Sequence, residues 1–262
     1  MTRDPWSVLT AHQATQARAF LAQRDTERRH LVIYLSGAHA YGFPSPDSDL
    51  DLKCVHIAST RQLVGLSPPD DPPGRIDIVE GVELDYGSNE LGGVLRGVIK
   101  GNGNYLERLF GALVLGGDPK LLDDARAVVR PVISRRVARH YGGFATSQLR
   151  AFDEKPTAKR ALYVLRTAAT GLRLLATGTI VTDVAELGEH MPAELHELLA
   201  IKQRGEKQPL EPEHARAWRG RLTAAIDAVD AAWPHSVLPA EPAASAVDAI
   251  DEWLRDVRQS AW

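Results

Sequence analysis

The chain has 262 residues and a mass of 28.6 kDa, which fits one elaborated α/β domain or two compact units sharing a boundary. Its 44% apolar and 25% charged content excludes disordered, collagenous and coiled-coil classes, and Lys plus Arg of 31 against Asp plus Glu of 34 (net −3) excludes a strongly basic polyanion coat. No run reaches the ~18 apolar residues of a membrane span, the stretch from Met1 to Gln13 lacks the pattern of a secretory signal, and a lone Cys54 can form neither an internal disulfide nor a cysteine zinc site, so a soluble, cytoplasmic protein with no membrane partner is expected.

In chain order, Trp6 to Arg29 reads as one amphipathic helix, with Leu9, Ala17, Phe20 and Leu21 as its apolar stripe. His30 to Leu35 is a short β-branched and aromatic run, the pattern of a buried strand. The loop from Ser36 to Ser48 is dense in Gly, Ser and Pro. Asp49 to Ile57 alternates polar and apolar residues, as a strand with one wet face does. Leu66 to Gly74 is a Pro/Asp-rich loop, and Arg75 to Glu80 with Gly81 to Tyr86 reads as a hairpin turning at Glu80-Gly81. Asn89 to Leu115 is helical in pattern, interrupted at Gly101-Asn102-Gly103. Beyond about Gly117 strand signals fade, and six helices are predicted: Leu121 to Val129, Ser134 to Phe152, Thr157 to Thr177, Pro192 to Gln203, Glu211 to Ala232 and Ala243 to Gln259. Pro156 suits the first turn of its helix and Gly178 the C-terminal stop. The expected organisation is an α+β unit over residues 1–117 followed by an all-helical unit over 118–262.

Charge is unevenly spread. Arg135 to Arg173 contains nine Lys or Arg residues against two acids, a local +7. From Asp183 onward fifteen acids oppose eight bases, a local −7. A basic block in a mildly acidic chain points to one anionic ligand site.

The chemistry concentrates between Ser36 and Leu52. Alternate strand residues share a face, so Asp49 and Asp51 project together with Cα atoms about 6.5–7 Å apart. Such a pair can converge on divalent cations, and oxygen ligands favour Mg²⁺ or Mn²⁺. A third carboxylate is available from Glu83 or Asp85, which share a face of the later strand. The Gly37 to Gly42 turn follows the first strand, where exposed backbone N–H groups can cradle phosphate.

These residues resemble the Gly-Ser…Asp-x-Asp signature of DNA polymerase β-like nucleotidyltransferases. The run from Gly37 and Ala38 through Tyr41-Gly42-Phe43 to Ser48-Asp49-Leu50-Asp51-Leu52 is similar to the RNA-repair-pathway (RlaP) branch. So are Lys100-Gly101-Asn102-Gly103-Asn104…Glu107 and the helix from Lys159 to Gly178, so the resemblance runs from Leu31 to Lys207. It implies a mixed-sheet palm with flanking helices and a helical C-terminal domain. It also implies two Mg²⁺ (or Mn²⁺) ions on Asp49, Asp51 and Asp85, with Asp85 selected over Glu83. The implied reaction transfers NMP from an NTP to an RNA or protein hydroxyl. Gly37, Ala38, His39 and Ser48, with Lys159 and Arg166 on the basic helix, are the implied nucleotide-binding set. Ala38 stands where the family has Ser, and His39 where it has Arg. Losing one hydrogen bond to a charged group costs about 1.5–3 kcal/mol, which opens an alternative: a weakly active, nucleotide-sensing or antitoxin-like partner-binding module.

Other residues carry plainer expectations. Lys159, Arg166 and Arg173 share a helix side with Tyr163 and Thr170, making a basic stripe opposite Leu162, Leu165, Ala169 and Leu172. His39 reads as a surface loop residue, and Tyr41 and Phe43 as loop anchors against a helix. Cys54 reads as a buried thiol on the face opposite Asp51, and Trp218, Trp233 and Trp253 as core.

Overall fold

The computed structural model describes residues 4–205 and 208–262. Lys207, the end of the stretch that resembles the family, and Met1 to Arg3 lie outside them.

The first helix starts later than expected. Thr10 and Gln13 form a capping box that opens α1 (Ala11–Glu27), while Pro5–Val8 is a separate 3₁₀ turn, so Leu9 falls outside the helix. β1 (Arg29–Leu35) leads into a one-turn helix, α2 (Gly37–Ala40), where an open glycine turn was expected. β2 (Leu50–Ile57) is followed by α3 (Thr60–Leu63) and then the hairpin of β3 (Arg75–Val79) and β4 (Val82–Glu90). Glu80 and Gly81 both adopt positive φ, 50° and 81°, the backbone of a two-residue hairpin turn.

The predicted helix from Asn89 is corrected at both ends. Asn89 and Glu90 complete β4, and α4 (Leu91–Ile99) and α5 (Gly103–Phe110) follow, the second capped by Asn102. Val114–Gly117 then form β5, a strand that residue pattern had hidden inside the helical run. β5 pairs with β1, whose other edge is taken by β2. Gly117 permits that pairing: its φ is +116°, and a Cβ there would lie 2.4 Å from the Leu31 carbonyl oxygen.

The sheet runs β3-β4-β2-β1-β5. β2 and β4 are parallel and the other pairs antiparallel, so the sheet is mixed. Leu50, Leu52 and Cys54 of β2 face α1 and pack with Ala17, Phe20 and Leu21. Cys54 is fully buried and burial pushes its thiol up to about 12, so it is an inert core group. Val55 and Ile57 face the opposite way and join α4 and α5 in the main core.

The six predicted helices form: α6 (Pro119–Val129), α7 (Val137–Glu154), α8 (Ala158–Thr177), α9 (Leu195–Lys202), α10 (Pro212–Ala232) and α11 (Ala244–Ser260). Thr157 caps α8, which leaves Pro156 before the cap, and Gly178 ends the helix at φ 69°. α7, α8 and α10 pack on one another, and α11 returns to α4 and α6. There Arg258 pairs with Glu90, and the Thr60 hydroxyl donates to the Arg258 carbonyl at 2.6 Å. One apolar cluster extends from Leu31 to Val257, so the two halves on either side of Gly117 share a core. Trp218 is in it and Trp253 packs against it, but Trp233 is 39% exposed, which corrects its reading as core. Among the described residues no helix is long and apolar enough to cross a membrane.

Candidate active site

The parallel pairing of β2 and β4 sets Asp51 beside Asp85. Neighbouring strands lie about 4.8 Å apart, so the two carboxylates are held side by side by backbone register alone. Asp49 lies two residues before Asp51, just ahead of the first residue of β2, so the strand starts one residue later than expected. Burial, then the charge of Asp49, pushes Asp51 up to about 6; Lys53 opposes this and Asp85 adds to it.

Lys53 was not foreseen. Its Nζ lies 2.7 Å from Asp85 Oδ1 and 3.6 Å from Asp51 Oδ1. Its position two residues after Asp51, on the same strand face, was the available signal. Among the described residues no three His, Cys, Asp or Glu side chains form a ready-made metal cluster, and Lys53 bridges Asp51 and Asp85. The donor set nevertheless suits a hard divalent cation. It offers carboxylate oxygens, and Asp51, whose pKa is raised first by burial, also feels the charges of Asp49 and Asp85.

Gly37 lies directly over this pair. Its φ is +64°, and a Cβ there would sit 1.8 Å from Asp51 Oδ2. The Ser36 N–H donates to the Asp51 carbonyl at 2.8 Å, tying the turn to the strand. Ala38 is buried in the main cluster, so its side chain is a core contact. His39 is also buried, which corrects its reading as a surface residue. Tyr41 and Phe43 are buried anchors, as expected, with ring centroids 5.6 and 5.8 Å from Tyr163 of α8. The far half braces the turn: Thr182 Oγ1 donates to the Ala40 carbonyl at 3.0 Å, and the Val184 N–H to that of Tyr41 at 3.0 Å.

Ser48 faces inward. Its hydroxyl accepts from the Ser45 N–H at 3.0 Å and from Lys202 Nζ at 3.2 Å. Lys202, at the end of α9, is fully buried and also bonds Ser45 Oγ at 2.5 Å. Ser48 thus holds the loop before Asp49. No local pattern could have paired it with a lysine 154 positions away.

The basic helix also differs from its predicted stripe. α8 is central in the bundle, and both Arg166 and Thr170 are buried. Arg166 pairs with Glu107 at 2.8 Å and lies 3.7 Å over the Tyr41 ring. It underpins α2 and does not face the cleft. Lys159, in the first turn of α8, does. With Lys155 and Arg160 it walls a cavity of about 750 Å³ opposite Asp47, Asp49 and Glu83. Tyr163 lines this cavity and also a smaller one of about 170 Å³ that holds Gly37, Asp51, Lys53, Asn104 and Glu107. The larger volume is that of a small-molecule site, and its cationic wall faces the carboxylates.

The profile of the RNA repair pathway DNA polymerase beta family, RlaP, matches residues 13–256. The chain belongs to that family. The mixed sheet, the in-register aspartates and the helical C-terminal half accompany that membership. An uncharacterized protein of Methanocaldococcus jannaschii is 28% identical over 156 residues, covering 58% of this chain and 63% of that relative. The match therefore spans less than two thirds of the relative's length. A crystal structure of a nucleotidyltransferase-like protein from Exiguobacterium sibiricum aligns over 93% of this chain and 78% of that one, at 11% identity and a TM-score of 0.33.

Proposed function

We propose that this RlaP-family protein is a metal-dependent nucleotidyltransferase that moves a nucleoside monophosphate from an NTP to an acceptor hydroxyl on RNA or protein. The observation that carries the reading is the register of Asp51 with Asp85, next to Asp49, which lines one cleft with Lys155, Lys159 and Arg160. Asp49, Asp51 and Asp85 would hold Mg²⁺ or Mn²⁺, which when bound neutralises charge on the attacking and leaving oxygens. A cation held there would displace Lys53, which pairs with both Asp51 and Asp85. Lys155, Lys159 and Arg160 bind the β- and γ-phosphates, and the backbone of Gly37 and Ala38 lies against the reacting phosphate. The acceptor oxygen bonds to the α-phosphorus, the bond to the β-phosphate oxygen breaks, and pyrophosphate leaves. Asp85, the outermost of the three carboxylates in the sheet order, takes the acceptor's proton. The setting is cytoplasmic, where NTPs are supplied, and a single buried thiol agrees with it.

The test is incubation with Mg²⁺ and each labelled NTP in the presence of RNA and, separately, of protein. Label on an acceptor, lost in Asp51→Asn, supports the reading. NTP binding with no transfer to any acceptor favours the second reading, a nucleotide-sensing module. The observation behind that alternative is Ala38 in place of the family's serine.

A further inference from the structure

The basic block from Arg135 to Arg173 serves two places. Lys155, Lys159 and Arg160 wall the cleft, but Arg136 and Arg139, at the start of α7, join Lys100 and Trp233 around a separate cavity of about 460 Å³. Glu241 also lines it and pairs with Arg136. Three cations against one acid leave a lining charge of +2. Among the described residues Lys100 and Arg139 have no carboxylate partner. The indole of Trp233 is 39% exposed in a 3₁₀ turn, with Val237 beside it 65% exposed.

Two tracks lead from this cavity to the aspartates. Lys100 lines it, and Asn104 and Glu107 of the same short segment line the cavity that holds Asp51. On α7, Arg136, His140 and Phe144 recur every fourth residue along one face, about 12 Å from first to last. His140 stacks on Phe144 with centroids 6.1 Å apart and planes 27° from parallel, and Phe144 also lines the Asp51 cavity. Burial and Arg166 push His140 down to about 4, so at neutral pH it is a flat uncharged ring. Cations and aromatic faces therefore alternate from Trp233 to the catalytic face.

We propose that this track binds single-stranded nucleic acid, with a base stacked on Trp233, phosphates on Lys100 and Arg139, and an end hydroxyl directed along α7 toward Asp85. An exposed indole between unpaired cations matches the stacking platform and charged groove of sequence-tolerant strand binders. An acidic peptide or a polyphosphate would satisfy the cations and leave the indole uncovered. The purpose of the strand, as acceptor, rests on the nucleotidyltransferase reading; its binding does not.

The experiment is fluorescence anisotropy of the full chain with short labelled oligo-uridylate and oligo-deoxythymidylate, competed by an abasic oligomer and by inorganic polyphosphate. The two labelled strands separate RNA from DNA as the source. We expect Trp233→Ala to weaken binding roughly tenfold and Trp233→Phe to keep most of it, since any aromatic face stacks. The double charge reversal Lys100→Glu with Arg139→Glu should flatten the slope of log K on log salt by roughly one to two. Asp49→Asn should bind strands like the wild type, so a catalytically silent protein still reports on the track. Unchanged affinity in Trp233→Ala with an unchanged melting temperature would overturn the proposal. So would competition by polyphosphate or the abasic oligomer equal to that of the intact strand, which would leave an anion site only.

Discussion

Replacing Asp51 with asparagine should make the metal-free protein more stable at neutral pH. The carboxyl is pushed from 3.8 to about 6 by burial and by Asp49 and Asp85. A shift of about two units at 1.36 kcal/mol each sets an upper bound of about 3 kcal/mol on the cost of keeping it ionised. Asparagine forgoes the attraction to Lys53, 3.6 Å away, and the side chain is 18% exposed, so the expected gain is nearer ~1–2 kcal/mol. The sign follows from linkage. Between pH 3.8 and about 6 the folded state keeps a proton that the unfolded chain releases. The group's favourable contribution is therefore full below pH 3.8 and is lost as pH rises through about 6. Urea unfolding in EDTA from pH 4 to 8 measures it: the wild type should lose stability across that window relative to Asp51→Asn. Adding Mg²⁺ should reverse the order at pH 7.5, because a cation bound to the native state stabilises it by mass action and needs the carboxylate. A variant less stable than wild type at pH 7.5 in EDTA, or one with the same pH slope, would refute the crowding of carboxylates inferred here.

Three further outcomes are expected. Glu107→Gln leaves the Arg166 guanidinium buried without its counter-ion and should cost about 3–5 kcal/mol; adding Arg166→Met should recover part of the loss, whereas additive losses in urea unfolding would count against a coupled pair. Lys202→Met removes the bonds to Ser45 and Ser48, with an expected cost of about 1–3 kcal/mol and faster amide exchange at residues 45–48, and unchanged exchange there would show that the lysine does not hold the loop. Gly37→Ala meets both a positive φ and the Asp51 carboxylate; the left-handed backbone alone costs roughly 1–2 kcal/mol, so thermal melting should show a larger loss than that, and a variant melting with the wild type would sink the close-approach argument.

The backbone around the candidate site was legible in the sequence because it is local. The alternation around Asp49 and Asp51, the turn at Glu80-Gly81 and the glycine at Gly37 each lie within one or two elements, where backbone period and glycine freedom act directly. The buried side of Cys54 followed from its offset of three from Asp51. Elements whose existence depends on a distant partner were not legible. β5 is four residues long and exists because the edge of β1 accepts it. The burial of Arg166 depends on Glu107, 59 positions away, and nothing in a basic helical stripe distinguishes a solvated arginine from one with a buried counter-ion. Lys202 is the extreme case: a lysine in an acidic C-terminal region reads as surface, yet it is fully enclosed and bonded to two serines.

These long-range contacts share one target. The carboxylates and the Gly37 turn belong to the first 117 residues, but the segments that flank them are braced from the rest. Lys202 holds the loop before Asp49, Thr182 and Val184 hold the α2 turn, Arg166 lies under Tyr41, and Tyr163 packs on Tyr41 and Phe43. The helical half is thus part of the construction of the site and also one wall of its cleft. The net charge of −3 divides along the same lines. Carboxylates crowd at the sheet, where Asp51 resists ionisation. Cations stand across the cleft at Lys155, Lys159 and Arg160, and the charge of Lys159 reaches Asp51, where it opposes the raised pKa after Lys53. A triphosphate bound with a divalent cation would meet the cationic wall and the carboxylates at once.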